Sequence, residues 1–208
     1  MFSSFRRSLK RRLSFLKRRL RKPAVPQNED GKVLLHIGCG PVNSPEFINI
    51  DALPYAHVHV ITENIDDLPD FADETVDLVY MCHVLEHVRR PEVFGVLKEM
   101  KRVLKSDGVL RLSVPDFDRL IEVYKAGGED VDVIRNQLMG GQDSEYNIHY
   151  SIFNHKGLSN LLREVGFREV RTWSPADSPY HDFKDRASRV LKAGAQSFAI
   201  SLNLEAIK

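Results

Sequence analysis

Short apolar runs separated by helical periods recur along most of this chain. Residues 32–37, KVLLHI, run apolar into Gly38 and predict a buried strand that ends at a glycine turn. Residues 47–50 predict a second short strand ending at Asp51, and 57–61 another extended piece. VDLVYM at 76–81 predicts a clearly buried strand. From 90 to 104, Val93, Val96, Leu97, Met100 and Leu104 keep a helical period that Ser106, Asp107 and Gly108 bring to an end. Residues 109–114 alternate as a strand and stop at Pro115. Residues 158–165 form an amphipathic helix stopped by Gly166, 167–173 a strand, and 197–204 a last strand. Strands alternating with helices imply a mainly parallel α/β sheet covered on both faces, with any ligand outside the carboxyl ends of its strands.

The first 22 residues follow a different pattern. Phe2, Phe5, Leu9, Leu13, Leu16 and Leu20 recur at steps of three and four, which puts them on one helical face, and ten Lys or Arg fill most of the rest. Pro23 and Pro26 end that helix and open a linker over 23–30. The overall net charge of +1 hides this asymmetry: residues 23–208 keep 20 of the 30 basic residues against all 29 acidic ones, a net of −9. An acidic body argues against nucleic acid as the main ligand. The tail fits an interfacial helix on anionic headgroups, a disordered polyanion binder or a mitochondrial targeting segment. Two cysteines, Cys39 and Cys82, fit a reducing compartment, so the expectation is a cytoplasmic protein, peripheral at the inner face of a membrane if the helix engages it.

The candidate chemistry starts at HIGCGP. Gly38, Cys39 and Gly40 follow the first strand, where backbone amides can approach a ligand closely. A dinucleotide site would need a third glycine where this chain has Asn43, and a helix to receive a pyrophosphate. With Pro45 close by and Asp51 only 13 positions past Gly38, a full helix hardly fits. The turn suits a nucleoside ligand without pyrophosphate, such as S-adenosylmethionine, with Asp51 placed to accept both ribose hydroxyls. The alternative for Asp51 is to start the turn at Leu53–Pro54. Asn64 and Ile65 can meet the edge and face of an adenine. The strand at 76–81 runs directly into His83, Val84, Leu85, Glu86 and His87, so His83 stands closest to a ligand and Glu86 either lines the cleft or caps the next helix. His83 and His87 are four apart, but no third ligand follows at a diagnostic spacing, so no metal is expected.

LLHIGCGP, INID, VDLVYMCHVLEHV, KRVLKSDGVLRLSVPD and LLREVGFREVRTW together resemble the successive motifs of the class I S-adenosylmethionine-dependent methyltransferase domain. The likeness is to the type 11-like group that in bacteria often accompanies surface-polysaccharide enzymes. The resemblance covers about residues 31–173. It implies a Rossmann-like, mainly parallel sheet of about seven strands with helices on both faces, occupying 31–208, and S-adenosyl-L-methionine as cofactor. It marks His36, Gly38, Cys39, Gly40, Asp51, Asn64, Ile65 and His83 as the cofactor-binding candidates. Many relatives carry an acid where this chain has His36, and Asp where it has Asn64.

Methylation of an oxygen requires removal of its proton, usually by a His or a carboxylate. Residues 116–150 form a long connection of the kind that serves as a lid, with Gly140–Gly141 as its flexible joint. His149 at its end is the candidate general base, beside His83. Glu86, Asp116 and Tyr150 are candidates for the substrate side. The expected activity is O-methylation of a sugar or other small or lipid-linked substrate near a membrane. The alternative is a non-catalytic cofactor-binding or scaffold protein on the same fold.

Overall fold

The computed structural model describes Pro26, Asn28 and residues 30–208; the tail helix expected over 1–22 lies outside the described residues. Seven strands form the main sheet: β1 Leu34–Ile37, β2 Ile48–Asp51, β3 Val60–Ile61, β4 Val76–Cys82, β5 Leu104–Pro115, β6 Glu169–Thr172 and β9 Ser201–Ile207. Their order is β3-β2-β1-β4-β5-β9-β6. All pairs are parallel except those of β9, which runs antiparallel to both β5 and β6. The chain leaves β1 toward β2 on one side and returns to β4 on the other. The carboxyl ends of β1, β2 and β4 therefore flank a topological switch point, where a crevice opens.

The two faces of the sheet are covered differently. Leu35, Ile37, Val79, Met81, Leu110, Leu112 and Leu204 point to one side. They pack against Val93, Val96, Leu97 and Met100 of α1 (Val93–Val103) and Leu158 and Leu162 of α4 (His155–Val165). Helices were expected on the other side too. Among the described residues that side is covered by aromatic side chains and the 3-10 turn Arg186–Ser188 in place of an α-helix: Leu34, Leu78 and Tyr80 meet Phe47, Trp173, Tyr180, Phe183 and Ala187. Across this face runs a row of paired residues, His36, Tyr80, Arg111, Glu205 and Arg171. Arg111 and Glu205 are both buried. Arg111 Nε donates to Glu205 Oε1 at 2.8 Å, its Nη1 to the Pro179 carbonyl at 2.8 Å, and its guanidinium stacks over Trp173.

The strand expected over 197–204 is two strands. β7 (Val190–Ala193) and β8 (Gln196–Ala199) make a separate hairpin, and β9 starts only at Ser201. Ile200 between them gives its carbonyl to the Asp116 amide and its amide to Arg189, which turns the chain from the hairpin into the main sheet. The hairpin packs on α2 (Phe117–Ala126) through Leu120, Val123, Ala193 and Ile200. The expected lid at 116–150 is thus largely built structure, since it also holds the short α3 (Arg135–Met139). Gly140 is a packed turn, with φ +74° and the Asn147 carbonyl 2.3 Å from where a Cβ would stand. No helix among the described residues is long and apolar enough to cross a membrane.

Helix α4 begins at Asn154, whose side chain accepts from the Gly157 amide at 3.0 Å, and it ends at Gly166 with φ +99°. Asn154→Ala is expected to cost about 1 kcal/mol, seen as a lower urea midpoint with an unchanged slope.

Candidate functional site

A cavity of about 530 Å³ opens at the carboxyl ends of β1, β2 and β4. Gly38 and Gly40, both with positive φ, form its floor, and the amides of Gly38 and Cys39 donate to the Ile50 carbonyl at 2.8 and 3.2 Å. A Cβ on Gly38 would stand 2.3 Å from Val84, so glycine is required there for space as well as for conformation. Asp51 ties the floor to the next wall: one carboxylate oxygen accepts from the Gly40 amide and the other from the Leu53 amide, each at 2.7 Å. Asp51 thus starts the turn, and it also lines the cavity. Asn64 and Ile65 line the same cavity further along, on a loop shaped by hydrogen bonds between Thr62 and Asn64. Tyr146 also lines the cavity, its hydroxyl donating to Glu63 at 2.6 Å.

His83 lines the cavity in a left-handed conformation, φ +53°. Such a backbone in a non-glycine residue is sparsely populated and is held by its surroundings. Its amide donates to the Ser113 carbonyl at 2.8 Å, its Nε2 lies 3.0 Å from Ser201 Oγ, and its Nδ1 lies 3.0 Å from Glu86. Ser201 gives its own proton to the Arg186 carbonyl, so His83 Nε2 is the donor in that contact. Both ring nitrogens are therefore engaged by the protein.

The remaining sequence candidates fall in several places. His36 turns away from the cavity: it is buried, 2.8 Å from Ser44 Oγ, and stacked on Phe183. Burial, with His181 and His57 nearby, holds its pKa down to about 3, so it is neutral there. The reason is strand alternation, which puts His36 on the aromatic face with Leu34. Cys39 also points inward, and burial, aided by Asp51, pushes its thiol up to about 12. Asp116 is spent on structure as the N-cap of α2, accepting from the Asp118 amide at 3.1 Å. Tyr150 is exposed and lies under the Arg89 guanidinium.

Glu86 and His149 lie behind the cavity wall rather than in it. Glu86 is 99% buried in a 3-10 turn; burial raises its pKa, but His83 and His87 pull it below the usual carboxylate range. His149 has its pKa lowered, mainly by burial. Sequence reading gave no role to His87, which lines the cavity and packs edge-on against His149 at 4.8 Å between ring centroids. Tyr55, Val88, Glu145 and Tyr146 were also missed, although HVLEHV and DSEYNIHY stood out as segments. No metal was expected, yet Glu86, His87 and His149 each offer a ligand atom within 4.8 Å of the others.

Residues 35–112 match a family model described as a methyltransferase domain. No curated protein matches the chain. Among solved structures, a SAM-dependent methyltransferase from Archaeoglobus fulgidus is 17% identical, with 85% of this chain and 86% of that one covered at a TM-score of 0.51. A SAM-dependent methyltransferase from Methanosarcina mazei is 18% identical, covering 88% and 94% at 0.50. The 1,6-didemethyltoxoflavin-N1-methyltransferase of Burkholderia thailandensis, solved with its substrate and S-adenosylhomocysteine, is 14% identical, covering 85% and 70% at 0.51. At these identities the likeness is one of fold.

Proposed function

We propose, for a chain that carries a methyltransferase domain on the class I methyltransferase fold, that it transfers a methyl group from S-adenosylmethionine to a hydroxyl. The acceptor is a sugar or another small or lipid-linked molecule met at an anionic membrane surface. The observation that carries this reading is that Gly38, Gly40, Asp51 and His83 line one and the same cavity. The family match supports S-adenosylmethionine as cofactor, and the donor set fits it. Asp51 keeps acceptor capacity for a ribose beyond its two backbone contacts. Ile65 offers an apolar face and Asn64 an amide for an adenine.

The cofactor supplies an activated methyl on sulfur; the protein's share is alignment, exclusion of water and the handling of one proton. The acceptor's proton leaves toward the corner where His87 and His149 meet. Burial keeps His149 in its basic, neutral form, and His87 faces the cavity. Membrane proximity is supported by the ten basic residues and apolar stripe of 1–22, and lipid-linked acceptors would be concentrated there.

Calorimetry with S-adenosylhomocysteine, against NAD as control, tests the cofactor. Saturable heat with the first alone is expected, and heat with NAD only would reverse the assignment. A labelled-methyl screen over sugar nucleotides and lipid-linked saccharides identifies the acceptor. Sedimentation of the full chain with anionic but not neutral vesicles is the outcome expected for the tail.

A further inference from the structure

We propose that Glu86, His87 and His149 form a binding site for one divalent transition-metal ion of the zinc or iron class. Each residue presents one ligand atom, all within 4.8 Å of one another. Two imidazoles and one carboxylate with positions left open are the donor set of catalytic zinc and of non-haem iron sites.

Both histidines are held in the ligating form. His87 Nδ1 lies 3.0 Å from the Ile148 carbonyl, and His149 Nδ1 lies 2.9 Å from the Gln137 carbonyl. A carbonyl only accepts, so each Nδ1 carries the proton and each Nε2 keeps its lone pair. Outer hydrogen bonds of this kind orient metal-ligating histidines and fix their tautomer. The third ligand adds an independent sign. Glu86 is 99% buried, and its carboxylate has few partners: one oxygen lies 3.0 Å from His83 Nδ1, and the other accepts no hydrogen bond. A buried carboxylate with so few partners is costly unless something supplies positive charge.

The scaffold brings the ligands together without help from an ion. The amides of Tyr150 and Ser151 both donate to the Glu86 carbonyl, at 2.8 and 3.1 Å, and fasten the segment carrying His149 to the turn carrying Glu86 and His87. Ligand bonds of about 2.0–2.2 Å require the three atoms to draw in by about 1 Å, a small side-chain adjustment. Since His87 lines the main cavity, an open coordination position would face an acceptor there. With the ion bound, the two Nε2 lone pairs are ligands and no longer take the acceptor's proton as in the metal-free chain; an acceptor hydroxyl bound to the ion would be acidified by it and give its proton to water instead.

The role toward an acceptor rests on the proposed methyl transfer; metal binding itself does not, because it is read without cofactor or acceptor. The full chain, stripped with a chelator, is titrated with Zn2+ by calorimetry and with Co2+ by visible absorption. One equivalent is expected to bind, with ligand-field bands for Co2+. Glu86→Gln and His149→Ala are each expected to weaken Zn2+ at least about tenfold, while His155→Ala, at an exposed position, leaves it unchanged. Circular dichroism in chelator checks that the variants fold, and the wild-type Co2+ spectrum decides the matter even if they do not. Absence of saturable binding up to millimolar metal overturns the site, as does equal affinity in wild type, Glu86→Gln and His149→Ala. Metal binding without any S-adenosylhomocysteine heat would sink the transferase reading and leave the metal site standing.

Discussion

Asp51→Ala is expected to weaken S-adenosylhomocysteine binding by about 100-fold while the chain stays folded. A charge-assisted hydrogen bond contributes about 1.5–3 kcal/mol, so if Asp51 holds two ribose hydroxyls as proposed, losing it removes roughly 3 kcal/mol or more, and each 1.4 kcal/mol is tenfold. The same carboxylate accepts from the Gly40 and Leu53 amides, each at 2.7 Å. The substitution therefore also frees the cavity floor, which adds to the loss. Calorimetry at fixed ionic strength reads the change. Affinity within threefold of wild type would show that Asp51 serves the turn alone and that the ribose lies elsewhere.

The largest effect on stability is expected at Arg111. Arg111→Met leaves Glu205 as a buried carboxylate without its main partner, and breaking a buried pair from one side costs about 3–5 kcal/mol. Only the exposed Arg171 remains, reaching the other Glu205 oxygen at 3.0–3.1 Å. The Pro179 carbonyl and the Trp173 ring lose the guanidinium as well. Urea denaturation measures the loss. Adding Glu205→Leu to Arg111→Met is expected to restore most of it, because two apolar side chains then replace two charges. A loss below about 1 kcal/mol in the single variant would mean that Arg171 compensates fully.

Much of the sheet was legible in the sequence because its signals are local. β1, β2, β4 and β5 each show as an apolar run with a stop at Gly38, Asp51, His83 or Pro115. The floor and Asp51 wall of the cavity followed from those stops. His36 was misplaced because all four β1 residues are buried: when both faces are covered, apolar content no longer reveals which way a side chain points. The split at Ile200 was hidden for a related reason, since β8 and β9 read as one apolar stretch and only tertiary hydrogen bonds to Asp116 and Arg189 divide them. The grouping of Glu86 and His87 with His149 spans more than 60 residues of sequence. No spacing rule reaches that far; the joint is made by backbone amides at Tyr150 and Ser151. Asp116 looked available because capping is decided by the helix that follows, which sequence reading had folded into a loop.

The position of β9 between β5 and β6 bears on how the chain is made. While the polypeptide emerges from a ribosome, β1 to β5 can pair among themselves, but β6 has no neighbour until residues 201–207 arrive. Through that interval β5 presents an unpaired strand edge, and Arg111 waits without its carboxylate. Such an edge invites pairing with other nascent chains, so assembly must close quickly once β9 is released.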